Sequence, residues 1–244
     1  MRETRLHPIL DDTELVVFDK DGTLFSFEAM WVGWAREIGG RLEASTRRPV
    51  AGDVFATIGF DPTTDRVVPG GPLAVATMDG IRDLVGAVLR RWCPSVPAAQ
   101  RILADAWFEP DPVATAVPLA ELPGLFGVIR ASGRRIAVAT TDDRRPTLTT
   151  LTAFGLADLV DDLVCGDDPG PTKPDPAALA GLADRLGSSA RRTAMVGDTT
   201  ADLRMARDAG ARPIGVANGV TPAATLAELA DIVLDTVADL VQIA

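Results

Sequence analysis

The sequence is poor in the side chains on which several common chemistries depend. The 244 residues include one histidine, His7, and no tyrosine, which leaves little room for His-based triads or multi-histidine metal sites. The two cysteines, Cys93 and Cys165, lie far apart without CxxC spacing, so neither a disulfide scaffold nor a zinc site is indicated. Lysine occurs only twice, as Lys20 and Lys173, and arginine supplies the other basic side chains.

Positive charge and long apolar runs are also scarce. Lys and Arg number 24 against 34 Asp and Glu, for a net charge of −10, which argues against nucleic acid or an anionic membrane surface as partner. No run of about 18 apolar residues occurs, and the first residues contain no apolar stretch of signal-peptide length. These features predict a cytoplasmic protein, and they do not indicate its oligomeric state.

The order of apolar segments predicts an α/β fold with a parallel sheet. Strand-length runs bounded by Gly, Pro or Asp alternate with helix-length segments late in the chain, and Leu15 to Phe18 forms a similar run near its start. The stretch between them has helical spacing, with a Pro- and Gly-rich loop over residues 60–74. We therefore expect an α/β core over residues 1–24 and 119–244, and an inserted helical domain over residues 25–118.

The first run ends in two carboxylates, in the segment "LVVFDKDGTLF". Asp19 and Asp21 could belong to an acidic turn, while a calcium loop is disfavoured because Thr23 and Leu24 do not fit its pattern. Side chains at i and i+2 share one face of a strand, so both carboxylates are expected to converge at the carboxyl edge of the sheet. Two such charges repel, which implies a bound cation, a proton, or both.

Thr140 ends the second predicted core strand, and Lys173 precedes a later helix. A single threonine at such a place is as readily a helix N-cap, but backbone N–H groups near Thr141 and Asp142 could join it in holding an anion such as phosphate. A lone lysine in a loop is usually solvated. Lys173 in "GPTKPDPAAL" is, however, a compact cation that could offset charge on a phosphoryl group.

The segment "AMVGDTTADL" places Asp198 at the end of another strand, with Asp202 four residues further on. Taken alone, these acids could be a helix N-cap and a residue of the first turn. Together with Asp19 and Asp21 they would give three or four carboxylates at one sheet edge. Hard oxygen ligands of this kind predict a Mg²⁺ site.

These segments, in order, resemble the four motifs of the haloacid dehalogenase-like hydrolase superfamily. The motifs are D-x-D-G-T from Asp19, a strand-terminal Thr140, K-P-D from Lys173, and G-D-x-x-x-D ending at Asp202. The position of the insertion is similar to that of the helical cap in the phosphoglycolate phosphatase-like branch. The resemblance implies a Rossmann-like three-layer core with an α-helical cap. One departure is "TTDDRR", where many relatives have Asn or Ser after the threonine.

The resemblance also implies a mechanism, in which Asp19 attacks a phosphate monoester to form an aspartyl-phosphate. Mg²⁺ would be held by Asp19, the main-chain carbonyl of Asp21 and Asp198, with Asp202 beside the ion or binding it. Asp21 would protonate the leaving alkoxide and then deprotonate water. The phosphoryl oxygens would be held by Thr140, Thr141 and Lys173.

The expected partner is a small phosphorylated metabolite, either phosphoglycolate-like or a sugar phosphate. Arg36 and Arg66 in the insertion could contact it, although arginines at such positions are more often surface ion-pair partners. Two alternatives remain: a phosphomutase of the β-phosphoglucomutase type, and a catalytically weak phosphate-binding or interaction protein. A dehalogenase is disfavoured by the presence of Asp21, and a phosphonate hydrolase by the lack of a lysine in the insertion.

Overall fold

A computed structural model describes residues 4–243 of the chain. Its strands are β1 Thr4–Leu6, β2 Leu15–Phe18, β3 Phe60–Asp61, β4 Arg66–Val67, β5 Arg135–Ala139, β6 Asp162–Val164, β7 Thr193–Gly197, β8 Arg212–Val216, β9 Ile232–Leu234 and β10 Val241–Ile243. Its α-helices are α1 Phe27–Thr46, α2 Ala51–Ile58, α3 Pro72–Val75, α4 Met78–Trp92, α5 Val96–Ala106, α6 Leu122–Ala131, α7 Arg144–Ala153, α8 Pro176–Arg185, α9 Thr200–Ala209 and α10 Ala223–Leu226.

Six of the strands form one parallel sheet in the order β6-β5-β2-β7-β8-β9. The register sets Phe18 of β2 opposite Val138 of β5 and Val196 of β7, so these three strands end at the same level. All four residues of β2 are buried, as expected for a strand covered on both faces. The α/β prediction is confirmed, and the residues that follow these strands meet at one edge.

Helices cover both faces of the sheet, which makes three layers. On one face Phe18 stacks on Phe126 of α6, with ring centroids 5.1 Å apart. On the other face Val17 belongs to a second core with Leu179 of α8 and Met205 of α9. Burying a side chain of this size contributes about 1.5–3 kcal/mol, so the two cores fix the sheet between its helices.

Helices α1 to α5 and the short hairpin β3–β4 lie between β2 and β5, where the sequence predicts a helical insertion. The chain leaves and re-enters the core through two hydrogen-bonded segments. Ser26 N donates to the Val117 carbonyl at 2.8 Å, and Leu119 N donates to the Leu24 carbonyl at 2.9 Å. These paired crossings place the insertion above the carboxyl edge of the sheet.

Some local features of the insertion differ from the sequence-based expectation. The segment of residues 60–74 contains the hairpin and α3 rather than only loop. The hairpin turn closes because the Asp61 carboxylate accepts hydrogen bonds from Thr63 N at 2.8 Å and Thr64 Oγ1 at 2.8 Å. Helices α3 and α4 are separate, because Thr77 caps the start of α4 by accepting a hydrogen bond from Gly80 N.

Two further points concern the ends of the chain and the apolar length of its helices. The antiparallel pair β1–β10 brings the N-terminal and C-terminal segments together, and short strands of this kind gave no clear periodic signal. No helix within residues 4–243 is long and apolar enough to cross a lipid bilayer.

Candidate active site

Three carboxylates meet at the edge of the sheet where β2 and β7 end. Asp19 directly follows β2, Asp198 directly follows β7, and Asp202 lies in the first turn of α9. Each offers a carboxylate oxygen, and these three oxygens lie within 4.8 Å of one another. All three residues are buried. Adjacent parallel strands thus deliver these three predicted acids to one point.

Lys173 bridges two members of this cluster. Its Nζ lies 2.5 Å from Asp19 Oδ1 and 2.6 Å from Asp202 Oδ1, and the side chain is almost entirely buried. Although burial lowers the pKa of Lys173, the carboxylates of Asp19 and Asp202 raise it above its ordinary value. The lysine therefore remains a cation, and it is not the solvated loop residue that its isolated position could have indicated.

The loops that contain Gly22 and Gly219 pack closely against the carboxylate of Asp198. Its Oδ2 accepts a hydrogen bond from Val220 N at 2.7 Å, and its Oδ1 faces Thr23 Oγ1 at 3.4 Å. A Cβ atom at Gly219 would lie 2.1 Å from Asp198 Oδ2, and one at Gly22 would lie 2.3 Å from the same oxygen. Glycine at both positions lets the two loops close on the carboxylate.

The cluster carries more negative charge than its lysine can offset. Burial raises the pKa of Asp19 to about 7, although Lys173 opposes this rise. Burial, followed by repulsion from Asp19 and Asp202, raises the pKa of Asp198 well above its ordinary value. Three buried carboxylates with one ammonium need either protons or a further cation, and a hard divalent cation suits an all-oxygen donor set. The residues present fit such an ion.

The carboxylate of Asp21 lies outside this cluster and contacts a second lysine. Lys20 Nζ lies 2.7 Å from Asp21 Oδ1 and 3.2 Å from Asp142 Oδ2, and the Lys20 side chain is completely buried. Although burial lowers the pKa of Lys20, Asp21 and Asp142 raise it above its ordinary value. The sequence indicates no role for the side chains of Lys20 or Asp142: Lys20 stands between the two acids of the first motif, and Asp142 lies in the departure "TTDDRR".

Thr140 directly follows β5, beside this second group. Its Oγ1 accepts a hydrogen bond from Asp142 N at 3.1 Å, so the loop turns back on the threonine. Helix α7 begins only at Arg144, with Asp143 as N-cap, so Thr141 and Asp142 precede the helix rather than form its first turn. Arg144 fixes this start through a pair of 2.6 Å hydrogen bonds to the Asp168 carboxylate.

A narrow cleft separates these groups from the inserted helices. The core side is lined by Asp19, Asp21, Thr140, Thr141, Asp142, Lys173, Pro174, Thr199 and Ala201. The inserted side is lined by Phe27, Trp31, Leu73, Ala74, Val75, Ala76, Met78 and Ile81. The free volume is about 30 Å³, which is room for about two water molecules, so a substrate requires the two sides to separate.

The two arginines singled out in the insertion lie elsewhere. Arg36 pairs with Asp65 at 2.7 Å and donates to the Pro62 carbonyl at 2.6 Å, on an exposed surface. Arg66 lines a separate groove between the hairpin and the loop that contains Gly219. The structure therefore brings together Asp19, Asp198, Asp202 and Lys173, with Asp21, Thr140 and Thr141 lining the same cleft. It does not bring Arg36 or Arg66 to that lining.

Comparison with known proteins identifies the family. The family model for haloacid dehalogenase-like hydrolases matches residues 13–210 of the chain. The chain therefore belongs to this family of hydrolases. It is 38% identical over 127 residues to a phosphoglycolate phosphatase of Rhodospirillum rubrum, covering 51% of this chain and 53% of that protein. It is 25% identical over 228 residues to a phosphoglycolate phosphatase of Agrobacterium fabrum, covering 93% and 90% respectively.

The chain thus spans about half the length of the Rhodospirillum relative. Among solved structures, a predicted phosphoglycolate phosphatase from Haemophilus somnus superposes with a TM-score of 0.66 at 20% identity, over 94% of this chain and 96% of that one. This structural likeness shows the fold alone. The resemblance to the phosphoglycolate phosphatase-like branch, drawn from the position of the insertion, is confirmed by these relatives.

Proposed function

We propose that the chain is a Mg²⁺-dependent phosphatase that hydrolyses a small phosphate monoester through an aspartyl-phosphate on Asp19. The observation that carries the proposal is the buried cluster of Asp19, Asp198 and Asp202 bridged by Lys173, beside a cleft that Asp19 and Lys173 line. The names of the curated relatives support the same reaction class.

In the first step, an oxygen of Asp19 bonds to phosphorus while the bond from phosphorus to the leaving oxygen breaks. Asp21, which lines the same cleft, gives its proton to that oxygen, so the alcohol leaves neutral. In the second step, water gives a proton back to Asp21 and bonds to phosphorus, which releases inorganic phosphate and regenerates Asp19. Acid–base help of this kind is worth about 10² to 10⁴ in rate.

The remaining residues bind and orient. Lys173 holds Asp19 in place and offers its ammonium to the phosphoryl oxygens, and Thr140 and Thr141 offer hydroxyl groups from the adjoining strand end. Asp19, Asp198 and Asp202, with the main-chain carbonyl of Asp21, would hold Mg²⁺, which when bound supplies positive charge opposite the carboxylates and the phosphoryl group.

We assign residues 25–118 as a cap domain and residues 1–24 and 119–244 as the catalytic core. The paired crossing segments are a natural hinge, because they are the covalent connections between the two parts. Opening at these segments would admit substrate, and closure would exclude water from the cleft. A phosphomutase is not favoured, because the relatives reported above are named phosphatases.

The test separates the two aspartates of the first motif. Asp19→Asn and Asp21→Asn are each mixed with 4-nitrophenyl phosphate and Mg²⁺, quenched rapidly and analysed by mass spectrometry. We expect a phosphorylated peptide containing Asp19 in Asp21→Asn and none in Asp19→Asn. The reason is that an aryl leaving group departs without a proton donor, whereas water attack still needs a base. EDTA should abolish turnover by the wild type.

Asp12→Asn, at an exposed position outside the cleft, is the matched control and should retain wild-type turnover. Equal labelling of both variants, or labelling on Thr23 or Thr140, would contradict the assigned roles. Full turnover after chelation and repurification would contradict the metal assignment.

A further inference from the structure

The side chains that line the inserted side of the cleft are all apolar, apart from the indole N–H of Trp31. All eight residues that line it are aromatic, aliphatic or Met, from Phe27 to Ile81. Trp31 packs between Phe27, with ring centroids 6.1 Å apart, and Trp34, at 5.9 Å, so its indole is held by neighbours on both sides. The part of the site that faces away from the phosphoryl-binding end is thus a preformed hydrophobic wall.

Much of this wall is shielded from solvent. Trp31 is 6% exposed, Leu73 6% and Ile81 1%. A charged group placed against such a surface loses its hydration and gains no partner, whereas an apolar group gains the free energy of burial. The wall therefore discriminates against charge in whatever part of the substrate reaches it.

The cleft offers no spare cation that could rescue a negatively charged leaving group. Among its lining residues the only lysine or arginine is Lys173, and its Nζ already contacts Asp19 and Asp202. The arginines of the insertion considered above are engaged elsewhere: Arg36 binds Asp65, and Arg66 lines another groove.

The nearest additional charge is of the wrong sign for an anion. Asp142 lines the cleft together with Asp19 and Asp21, and its carboxylate is directed to the buried Lys20 rather than paired with a cation from the cap. A carboxylate or a second phosphate on the substrate would face these acids, and their partner Lys20 is completely buried and does not line the cleft. Such like-charge contacts cost affinity rather than add it.

We infer that the preferred substrates are phosphate monoesters of uncharged, apolar alcohols, and that this wall selects against glycolate phosphate and polyhydroxylated sugar phosphates. The inference rests on the proposed phosphatase function and names its substrate class. The phosphoryl group occupies the polar core end near Thr140 and Lys173, and the hydrocarbon of the alcohol packs on Phe27, Trp31 and Ile81. Hydrolysis then yields inorganic phosphate and a neutral apolar alcohol, with water as the co-substrate.

The experiment compares esters that share the same leaving chemistry. The leaving groups of isobutyl phosphate and 2-phosphoglycolate are both primary alcohols of nearly equal size and shape. The first ends in two methyl groups and the second in a carboxylate. We expect kcat/KM for isobutyl phosphate to exceed that for 2-phosphoglycolate by at least about tenfold. Benzyl phosphate, with more apolar surface, should be better still, and glycerol 3-phosphate should be poor.

A charge introduced on the wall should reverse this preference. Ala74→Arg places a guanidinium on the partly buried lining segment α3 and should shift the isobutyl-to-glycolate ratio toward glycolate by at least about tenfold. Ala74→Met adds comparable bulk without charge and should leave the ratio on the isobutyl side. Val96→Arg adds the same charge at a position that is 51% exposed and outside the cleft, and should leave the ratio unchanged.

The outcomes separate the inference from the function on which it rests. A wild-type ratio at or below one, in protein that hydrolyses 4-nitrophenyl phosphate in an Asp19-dependent manner, would overturn the substrate class and leave the phosphatase proposal standing. Absence of Asp19-dependent hydrolysis of every ester, aryl phosphate included, would overturn both. The wild-type ratio decides the matter even where Ala74→Arg does not fold.

Discussion

At the scale of single residues, Lys20 is the side chain whose surroundings are least ordinary. It is completely buried, and its ammonium contacts Asp21 at 2.7 Å and Asp142 at 3.2 Å. It lies in the segment directly after β2, between Asp19, whose carboxylate joins the buried cluster, and Asp21, whose carboxylate it contacts. A buried cation between two carboxylates holds the loop after β5 against the loop after β2.

Removal of this charge should destabilise the fold. Lys20→Met keeps the length of the side chain but leaves Asp21 and Asp142 without their shared cation, so the free energy of unfolding should fall by about 3–5 kcal/mol. Equilibrium denaturation in urea measures the loss. Lys20→Met combined with Asp142→Asn should lose less than Lys20→Met alone, because no uncompensated buried carboxylate then remains at position 142.

A change in unfolding free energy below about 0.5 kcal/mol for Lys20→Met would contradict this account of Lys20 and Asp142.

The contact between Lys20 and Asp142 also shows what could not be predicted from the sequence. Asp19 and Asp198 could be placed together because each follows a predicted strand of one parallel sheet. The contact between Lys20 and Asp142 could not, since it depends on how two loops fold back, and neither residue stands in a periodic pattern.

At the scale of elements, the N-terminus of α9 joins a structural cap to the carboxylate cluster. Thr199 N donates to Asp202 Oδ2 at 3.1 Å and Asp202 N donates to Thr199 Oγ1 at 3.3 Å, which is a reciprocal capping box. The Thr199 hydroxyl also donates to Asp202 Oδ2, at 2.6 Å. One oxygen of Asp202 is thereby committed to the helix end, and the other faces Lys173 at 2.6 Å. The cap sets the orientation of a residue that we assign to the metal site.

Thr199→Ala should therefore weaken Mg²⁺ binding as well as the helix. Loss of the cap alone should lower the free energy of unfolding by about 1 kcal/mol. Loss of the Thr199 hydroxyl, which donates the shorter of the two hydrogen bonds to Asp202 Oδ2, should in addition weaken Mg²⁺ affinity by about 10- to 100-fold, measured by isothermal titration calorimetry.

Thr236→Ala is the matched control, because Thr236 and Asp239 form the same capping box at the short 3₁₀ helix that follows β9. It should lose comparable stability and keep wild-type Mg²⁺ affinity. Equal Mg²⁺ affinity in both variants would show that the orientation of Asp202 by Thr199 has no bearing on the metal.

The elements themselves differ in how far the sequence predicts them. Long amphipathic or buried segments such as α1, α4 and the core strands β2, β5 and β7 follow from periodicity and from the residues that bound them. The hairpin β3–β4 does not, because each strand has only two residues and the turn depends on side-chain hydrogen bonds of Asp61. The apolar wall of the cleft was also missed, since its residues read equally well as core positions of helices.

At the scale of the whole molecule, the chain carries a net charge of −10 and concentrates buried carboxylates at one edge of its sheet. The pKa of Asp19 is raised by burial to about 7, and the pKa of Asp198 is raised in the same direction. Between about pH 4 and pH 7 the folded chain therefore binds a proton at Asp19 that the unfolded chain has released. Stability must fall as the pH rises through that window.

We expect the metal-free protein in EDTA to melt at progressively lower temperature as the pH is raised from 5 to 8, with a slope of at most about 1.4 kcal/mol per pH unit from Asp19 alone. Calorimetry at several pH values measures this. Asp19→Asn, which cannot ionise, should show a shallower slope. Carboxylates with lowered pKa, such as Asp61 and Asp168, lose their stabilising effect only at more acidic pH and do not compete in this range.

Saturating Mg²⁺ should reverse the trend at the alkaline end, because the ion binds the ionised cluster of the folded chain and displaces its protons. The melting temperature in Mg²⁺ should then exceed that in EDTA by more at pH 8 than at pH 5. A metal-free stability that is flat or rises between pH 5 and 8, or a Mg²⁺ effect that is the same at both values, would show that the buried carboxylates do not hold protons in this pH range. In that case Asp19 would be ionised in the folded chain without help from a divalent ion, and Lys173 alone would offset its charge.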